Sequence, residues 1–337
     1  MTTNKKPAWG IISTAKIGLD HVIPGMQKSD SLTVTGIASR DAEKAAEVAK
    51  AMGIEKSYGS YEALLADPDI DIIYNPLPNH LHVPWTIKAL EAGKHVLCEK
   101  PIALTADEAS ELVAARDRSG KLVTEAFMVR HHPQWKRARE IATSGDLGEV
   151  RAIQTIFTYS LHDPANVRNM ADIGGGGLYD IGCYAVLTSR FIFGAEPKRV
   201  VSLVEYDPEL KIDRLASAIV DYGDGKRLVF TISTQLVPTQ RVAIYGTKKS
   251  LTVEVPFNQN PAIKARLHID DGRAVKSQPP EVEELALADQ YQLQAEAFGE
   301  AAMGGKPLDY PIEDAVANMR VIDALFASGK TGQWVDI

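Results

Sequence analysis

The chain has 337 residues, of which 45% are hydrophobic and 24% charged, as expected for a globular protein of about two domains. This composition excludes a disordered or collagenous chain, and the presence of only two cysteines excludes a disulfide scaffold. The formal net charge of −7 disfavours nucleic acid and anionic membrane as partners. The first apolar stretch is too short for a signal peptide, and no run of roughly 18 apolar residues predicts a membrane span. We therefore expect a soluble, cytoplasmic protein.

Strands and helices alternate along the first part of the chain. Short apolar runs predict strands over residues 8–12, 32–38, 70–74, 95–98 and 122–127. Helical periodicity lies between them, over residues 41–52, 83–92 and 105–119, and a glycine follows each of these stretches. This alternation predicts a parallel, doubly wound α/β sheet.

The second part predicts a different architecture. Helices are expected over residues 134–143, 178–193, 292–303 and 312–328. Strands are expected over residues 150–159, 200–206, 216–222, 227–234, 241–245 and 250–255, mostly without helices between them. Asp224-Gly225 is a hairpin signal between two of these strands. The sequence thus predicts a domain over residues 1–125 and an α+β domain with a large, mainly antiparallel sheet over residues 126–337.

The turn after the first predicted strand is a candidate pyrophosphate site. A dinucleotide fold usually places three glycines there, so that backbone N–H groups and a helix N-terminus can face the phosphates. Here Ser13 and Ala15 replace the first two glycines, and Gly18 is kept. A plain strand–turn–helix connection is the alternative interpretation. The predicted cofactor contacts in this turn are Ser13, Thr14, Ala15, Lys16 and Ile17.

The end of the second predicted strand favours NADP(H) over NAD(H). An NAD site places an acidic residue there to bind the ribose hydroxyl, whereas an NADP site has small residues and a cation. This chain has Ser39 and Arg40, followed one helical turn later by Lys44. Ser39 can donate a hydrogen bond to a 2′-phosphate, and Arg40 can bind it through its planar guanidinium. A surface arginine that begins a helix is the simpler alternative.

Two further loops follow strands at the same predicted sheet edge, where ligands bind in open α/β sheets. One is the proline-rich loop over residues 75–82, and the other contains Glu99, Lys100 and Pro101. The expected cofactor contacts here are Asn75, Pro76, Leu77, Asn79, His82, Glu99 and Lys100. A rigid structural loop and a solvated lysine are the alternatives.

The second domain contains four consecutive glycines, residues 174–177, directly before a predicted helix. Asp180 and Tyr184 lie four residues apart on one face of that helix. The glycines would let its N-terminus approach another backbone or a ligand closely. A tyrosine beside a lysine has its phenolate favoured, which suits proton transfer to a carbonyl or alkoxide oxygen. By itself, a core tyrosine near a capping aspartate remains the simpler interpretation.

Together these segments resemble the glucose–fructose oxidoreductase and inositol dehydrogenase superfamily over nearly the whole chain. The resemblance is carried by the turn over residues 10–18, by Ala-Gly-Lys-His-Val-Leu-Cys-Glu-Lys-Pro over residues 92–101, and by Gly-Gly-Gly-Leu-Tyr-Asp-Ile-Gly-Cys-Tyr over residues 175–184. Inositol dehydrogenases have histidine where this chain has Tyr184. The chain is therefore more similar to the branch that contains dimeric dihydrodiol dehydrogenase and NADP-dependent D-xylose dehydrogenase.

The resemblance implies a Rossmann domain, a second domain whose open sheet serves oligomerisation, and specific site residues. Lys100 matches the catalytic lysine of the family, and Asp180 and Tyr184 match its acidic and tyrosine positions. Arg168 and Tyr291 match positions that could reach the cofactor. We expect a homodimer or homotetramer.

We therefore expect an NADP(H)-dependent oxidoreductase that transfers a hydride to or from a sugar, a polyol or a related cyclic alcohol or ketone. Tyr184 would be the proton donor, with His131 and His132 as the next candidates. A dihydrodiol or deoxy-sugar ketone reductase would use the same residues. A catalytically silent NADP-binding regulator is the alternative from another class, but it would need neither Lys100 nor Tyr184. The spacing of the eight histidines predicts no metal site.

Overall fold

A computed structural model describes residues 6–337, and the packing of the backbone divides the chain into two compact units. The first unit extends to Met128 and also includes residues 289–316. The second unit comprises residues 129–288 and 317–337.

The first unit contains six strands and the helices that connect them. The strands are β1 (Ala8–Ile12), β2 (Thr33–Ala38), β3 (Lys56–Tyr58), β4 (Ile72–Asn75), β5 (His95–Cys98) and β6 (Val123–Glu125). The helices are α1 (Ile23–Met26), which continues a π-turn over Gly18–Val22, α2 (Ala42–Met52), α3 (Tyr61–Ala66), α4 (His82–Glu91) and α5 (Ala106–Ser119). The strand order is β3-β2-β1-β4-β5-β6, and every pairing is parallel.

The central strand of this sheet is buried along its whole length, as expected when helices cover both faces. Position 10 of β1 needs glycine, because an added Cβ would lie only 2.9 Å from the Leu64 side chain of α3. Trp9 of β1 is fully buried and meets Phe298 edge-on, with ring centroids 6.0 Å apart. Phe298 belongs to the returning segment, residues 289–316, so this segment completes the core of the first unit.

The second unit is built on a nine-stranded sheet. Its elements are α6 (Pro133–Ser144), β7 (Val150–Ser160), α7 (Cys183–Phe193), β8 (Arg199–Tyr206), β9 (Asp213–Gly223), β10 (Lys226–Ser233), β11 (Gln235–Gly246), β12 (Ser250–Val253), β13 (Arg266–Asp270) and β14 (Glu281–Glu284). The chain ends with α8 (Gln290–Ala302) of the first unit, α9 (Ile312–Thr331), which begins in the first unit and continues in the second, and β15 (Val335–Asp336). The strand order is β14-β13-β12-β11-β7-β10-β9-β8-β15.

This sheet is antiparallel except where β7 and β10 pair in parallel. Its two faces differ: Leu228, Phe230 and Ile232 of β10 are buried, while Val229 between them is partly exposed. The β9–β10 turn has positive φ at Asp224 and Gly225, as the hairpin signal predicts.

The predicted fold class, a parallel doubly wound sheet followed by a mainly antiparallel one, is confirmed. The predicted bounds of β1 and β5 agree with the structure residue for residue. None of the helices described between residues 6 and 337 is long and apolar enough to cross a membrane.

Candidate functional site

The turn after β1 begins with a residue in the left-handed region. Ser13 has φ +76°, a conformation that usually requires glycine. Its hydroxyl oxygen is buried and has no hydrogen-bond partner among the described residues. A helical bond then runs from the Leu19 N–H to the Ala15 carbonyl, and N–H groups in the first turn of a helix are not used within it. A left-handed turn, an unpartnered hydroxyl and a helix N-terminus fit the pyrophosphate of a dinucleotide.

The carboxyl end of β2 presents a hydroxyl and a cation. Ser39 is buried, and its hydroxyl accepts a hydrogen bond from the Asp41 N–H at 3.1 Å. The Asp41 carboxylate caps α2 by accepting from the Lys44 N–H, also at 3.1 Å. Arg40 is exposed, and its guanidinium is close enough to Tyr61 to affect the pKa of that residue. Burial raises the pKa of Tyr61, and the positive charge of Arg40 opposes that rise. Arg40 is thus a cation held at the strand end where a 2′-phosphate would bind.

Asn75 and His82 hold the loop between β4 and α4. The fully buried Asn75 amide donates to the His82 carbonyl at 3.2 Å and to the Thr86 hydroxyl at 3.1 Å. The His82 ring nitrogens lie 2.7 Å from the Pro101 carbonyl oxygen and 2.6 Å from that of Leu77. Burial lowers the pKa of His82 to about 4, although both carbonyl groups oppose this. Both side chains therefore position loop backbone, and their direct contact with a cofactor stays a prediction.

Glu99 and Lys100 follow β5 directly. The Tyr74 hydroxyl donates to the Glu99 carboxylate at 2.7 Å, and the Lys100 N–H donates to its second oxygen at 3.2 Å. Tyr291 lies at the start of α8 in the same unit, with its ring stacked on His21 at a centroid distance of 5.7 Å. Burial, and then the charge of Glu99, raise the pKa of Tyr291. Tyr291, although distant in sequence, therefore belongs to the same unit as Glu99 and Lys100.

The parallel strands bring these loops to one edge of the sheet. Because β1, β4 and β5 are neighbours and run in the same direction, Ser13, Asn75 and Lys100 all lie at or just beyond their carboxyl ends. The remaining predicted contacts occupy the same loops: Thr14, Ala15, Lys16, Ile17, Pro76, Leu77 and Asn79. The residues present therefore fit an NADP molecule along this edge, and their individual contacts with it stay predictions.

In the second unit, the glycine run is explained by close approach to protein atoms. A Cβ on Gly175 would lie 2.6 Å from the Arg168 carbonyl oxygen. A Cβ on Gly176, which has φ +118°, would overlap the Asp213 carboxylate, with its Cγ at 2.9 Å. On Gly177 it would lie 2.6 Å from Ile232. The sequence left open whether the glycines allow close approach to protein or to a ligand. In the structure these three glycines approach protein atoms, among them backbone and a buried carboxylate.

A π-turn over Leu178–Gly182 follows the glycines and continues as α7, so the helix carries both Asp180 and Tyr184. The Asp180 carboxylate lies 3.1 Å from the Arg168 guanidinium and accepts a hydrogen bond from the Tyr159 hydroxyl at 2.7 Å. The charge of Asp180 raises the pKa of Arg168, while burial, and then Asp180, raise the pKa of Tyr159. Asp180 is held between a cation and a phenol.

The Tyr184 ring is set in an aromatic cluster. Its centroid lies 5.3 Å from Phe257 and 6.0 Å from Phe157, and those two rings stack at 4.6 Å. The ring position of Tyr184 is therefore fixed by packing, which the helical spacing alone could not predict. Arg168 is linked to this group by its ion pair with Asp180, and its predicted contact with a cofactor stays a prediction.

The alternative proton donors lie in a different setting. His132 is buried, and its Nδ1 accepts a hydrogen bond from the Gln134 N–H, so it serves as the N-cap of α6. His131 precedes it in a short 3₁₀ turn. Over residues 6–337 there is no group of three His, Cys, Asp or Glu side chains that could hold a metal ion.

Sequence reasoning missed two residues of the second unit, Tyr159 and Asp213. Tyr159 lies in a strand that was predicted only for its apolar pattern, and Asp213 precedes the strand predicted from residue 216. Each meets the helix from a distant part of the chain. A buried polar residue next to an unusual glycine run could have pointed to Asp213, but only once its partner was known.

Comparisons with known proteins agree with this geometry. The family described as "Oxidoreductase family, NAD-binding Rossmann fold" matches residues 8–127, and the "GFO/IDH/MocA C-terminal domain" matches residues 135–252. An uncharacterized oxidoreductase from Rhizobium meliloti is 46% identical over 97% of this chain and 98% of its own. A D-xylose 1-dehydrogenase (NADP⁺) from Haloferax volcanii is 37% identical over 98% of this chain and 99% of its own. The crystal structure of a 3-ketoreductase from Actinomadura kijaniata, in complex with NADP and TDP-benzene, superposes with a TM-score of 0.89 at 28% identity, covering 96% of this chain and 98% of that one.

Proposed function

Because this chain belongs to the GFO/IDH/MocA family of oxidoreductases, we propose that it transfers a hydride between NADP(H) and a sugar, a polyol or a related cyclic alcohol or ketone. The predicted superfamily, its branch and the enzyme class, an NAD(P)-dependent oxidoreductase, are confirmed by these relatives. The observation that carries the proposal is the helix that presents Tyr184 one turn after Asp180, with both side chains held by neighbours in the second unit.

The choice of cofactor rests on the end of β2. Arg40 lies there beside the small residue Ser39, and the nearest carboxylate, that of Asp41, is committed to capping α2. A relative of similar length is named for its use of NADP⁺, and the 3-ketoreductase was crystallised with NADP. NADP(H) is therefore the cofactor of this chain in preference to NAD(H).

The roles of the chain's own residues follow from their chemistry. Bound NADPH supplies the hydride. Tyr184 donates a proton to the substrate oxygen as the carbonyl becomes an alcohol. Lys100 orients the substrate, and its positive charge favours the phenolate that Tyr184 leaves behind. Asp180, held by Arg168 and Tyr159, accepts a hydrogen bond from a substrate hydroxyl.

The solved 3-ketoreductase supports this assignment. It has been crystallised as variants in which one lysine is replaced by alanine or glutamate and one tyrosine by phenylalanine. That lysine and that tyrosine are as far apart in its chain as Lys100 and Tyr184 are in this one. A relative from Actinomadura kijaniata is named as a reductase of a dideoxy keto-sugar, so a ketone group on a deoxy-sugar is the second candidate substrate, and it would use the same residues.

The test begins with an NADPH and NADP⁺ absorbance screen against aldoses, ketoses, polyols and dihydrodiols. For the best substrate, Tyr184→Phe keeps the ring in its aromatic cluster and removes the proton, so kcat should fall by about 10²- to 10⁴-fold with NADPH affinity unchanged. Lys100→Met should also lower kcat, and the double variant should be far less than additive because the two groups act together. Tyr179→Phe is the matched control: Tyr179 lies in the π-turn that precedes α7, and this variant should keep its activity.

Two outcomes would contradict these assignments. If Tyr184→Phe retains more than about a third of wild-type turnover with chemistry rate-limiting, Tyr184 is not the proton donor. If NADPH binds but no substrate class is turned over, the chain is a silent NADP-binding regulator.

We also propose that the protein acts in the cytoplasm as a homodimer or homotetramer. Both cysteines, Cys98 and Cys183, are buried and neither forms a disulfide, which suits a reducing compartment. One face of the large sheet in the second unit has exposed apolar side chains on several strands, and a second copy would cover them.

A further inference from the structure

Asp213 is a buried carboxyl group to which the proposed reaction assigns no role. It begins β9 and is only 2% exposed. Its carboxylate accepts a hydrogen bond from the Leu178 N–H at 2.6 Å, and the neighbouring Gly177 N–H also favours its charged form. These are the first N–H groups of the π-turn that carries Asp180. A carboxylate at this position caps a helix and also interacts favourably with its dipole.

The fit between Asp213 and the glycine run is specific. Gly176 has φ +118°, and its missing Cβ leaves the space that the Asp213 carboxylate occupies. The Gly176 carbonyl in turn accepts the Asp180 N–H at 3.1 Å, while its N–H donates to the Arg168 carbonyl at 2.9 Å. The same glycine therefore contacts Asp213, the backbone of Asp180 and the backbone of Arg168, the ion-pair partner of Asp180.

We propose that Asp213 is a positioning residue of the active site: its carboxylate, seated against Gly176, fixes the first turn of the helix that carries Asp180 and Tyr184. The inference rests on the proposed function in that those two residues contact the substrate. It goes beyond that function because Asp213 itself acts only through the helix backbone.

The ionisation of Asp213 then controls how firmly the turn is held. The carboxylate accepts the Leu178 N–H in a charge-assisted hydrogen bond, and protonation removes the charge and turns one oxygen into a donor. Burial raises the pKa of Asp213 to about 7, the N–H groups oppose this rise, and the charge of Asp180 adds to it. The other titratable groups that face it are Tyr159 of β7 and Tyr206 of β8, with Arg168 paired to Asp180 beside them.

The sign of the effect follows from this arrangement. As the pH falls through about 7, Asp213 becomes neutral, the helix start loses an acceptor, and kcat should fall. Stability changes in the opposite direction. Because the pKa is higher in the folded protein than in the unfolded chain, the charge of Asp213 lowers the stability as the pH rises from about 4 to about 7.

The experiment compares Asp213→Asn with wild type between pH 5.5 and 9. Asparagine keeps the shape and one acceptor but is neutral throughout. We expect kcat at pH 8 to fall by about 10- to 100-fold, the scale of a misplaced catalytic group, and the step in kcat near neutral pH to disappear. The dissociation constant of NADPH should stay within about twofold of the wild-type value, since Asp213 caps a helix of the second unit.

Asp207→Asn is the matched control. Asp207 begins the turn between β8 and β9, whereas Asp213 directly follows that turn. Asp207 is 8% exposed and also accepts backbone N–H groups, those of Glu209 and Leu210. Its replacement should lower the melting temperature and leave the pH midpoint of kcat unchanged. A role of Asp213 in folding alone would make the two variants behave alike.

Activity tests the proposed function, and the melting temperature tests Asp213 independently of it. If wild type turns over no substrate, the proposed function fails; Asp213 is then tested by the melting temperature, which should decline from pH 4.5 to 7 more steeply in wild type than in Asp213→Asn. The inference is overturned if Asp213→Asn keeps the wild-type kcat and pH midpoint in an active enzyme. It is also overturned if the two proteins show the same pH dependence of melting.

Discussion

We propose that a single side chain, Arg40, sets the cofactor preference of the first unit. It follows the carboxyl end of β2, near Tyr61, and the Tyr61 ring meets Trp85 edge-on at a centroid distance of 4.8 Å. Arg40 therefore has an ordered aromatic neighbour before any ligand binds. A preorganised cation loses less entropy when it binds a phosphate than a free surface arginine does.

We therefore expect Arg40→Ala to weaken NADPH binding by about 1.5–3 kcal/mol, the scale of a hydrogen bond to a charged group. NADH has no 2′-phosphate, so its affinity should barely change. Fluorescence titration of both cofactors measures the difference. Lys50→Ala, in the last turn of α2, is the control for charge alone. Equal weakening of NADPH and NADH would show that Arg40 does not contact the 2′-phosphate.

At the level of residues, sequence motifs identified the candidate catalytic side chains but not the residues that hold those side chains in place. Lys100, Asp180 and Tyr184 could be selected because each lies in a distinctive local sequence. Tyr159 and Asp213 could not, because they act on Asp180 and its helix from other strands. Hydrogen bonds between distant segments leave no periodic signal in the sequence.

Among the elements, the helix of Asp180 and Tyr184 depends most on its glycines. The sequence predicted one helix from residue 178 to 193, whereas the structure begins with a π-turn over Leu178–Gly182 before α7. π-turns occur often at functional sites, and here the turn contains Asp180. Periodicity could not show this, because five residues of π-helix have no separate hydrophobic pattern.

Gly176→Ala should destabilise the second unit by more than about 3 kcal/mol, because the new methyl group overlaps a buried carboxylate and the backbone has positive φ. Gly182, at the end of the π-turn that follows, has φ −63°, and a Cβ there would lie 3.1 Å from the flexible end of Leu178 and 3.6 Å from the Gly177 carbonyl oxygen, an ordinary contact. The effect of Gly182→Ala should be below about 1 kcal/mol. Urea unfolding of both variants measures the contrast, and equal stabilities would contradict the close approach of Asp213 to Gly176.

Elements with strong patterns were predictable and weak ones were not. Capping signals placed α2 between Asp41 and Gly53 and α5 after Thr105, and the side chains of Asp41 and Thr105 do accept N–H groups there. The strands β3, β13 and β14 were missed because they have only three to five residues each and are rich in charge. Short strands of this kind form because a neighbouring strand is available, which is a tertiary effect.

For the whole molecule, the returning segment shows what local patterns leave open. The periodicity over residues 292–303 predicted an amphipathic helix, and α8 is one. Its apolar residues, Ala295 and Phe298, join the core around Trp9. An apolar helix face does not specify which of two sheets it packs against. The sequence therefore could not show that a segment from so late in the chain belongs with the first domain, which was predicted to end near residue 125.

The second unit has one sheet face that its own helices do not cover. Val229 of β10 pairs with Ile219 of β9, and both are about 40% exposed, while Leu203 of β8 on the same face is 78% exposed. Tyr245 of β11 continues this surface at 40% exposure. Apolar side chains in one row across several strands are a liability for a monomer, because such a face aggregates or binds a partner.

We therefore expect light scattering to give at least twice the monomer mass of 36.7 kDa at micromolar concentration. Ile219→Glu combined with Val229→Glu places two carboxylates in the centre of the apolar row, and burying them unpaired in an interface costs several kcal/mol. This double variant should elute as a folded monomer with an unchanged circular dichroism spectrum. Val275→Glu is the control, since Val275 is 90% exposed in a 3₁₀ turn outside the sheet and should leave the mass unchanged. A wild-type mass near that of one chain at every concentration would show that the open face serves a different purpose.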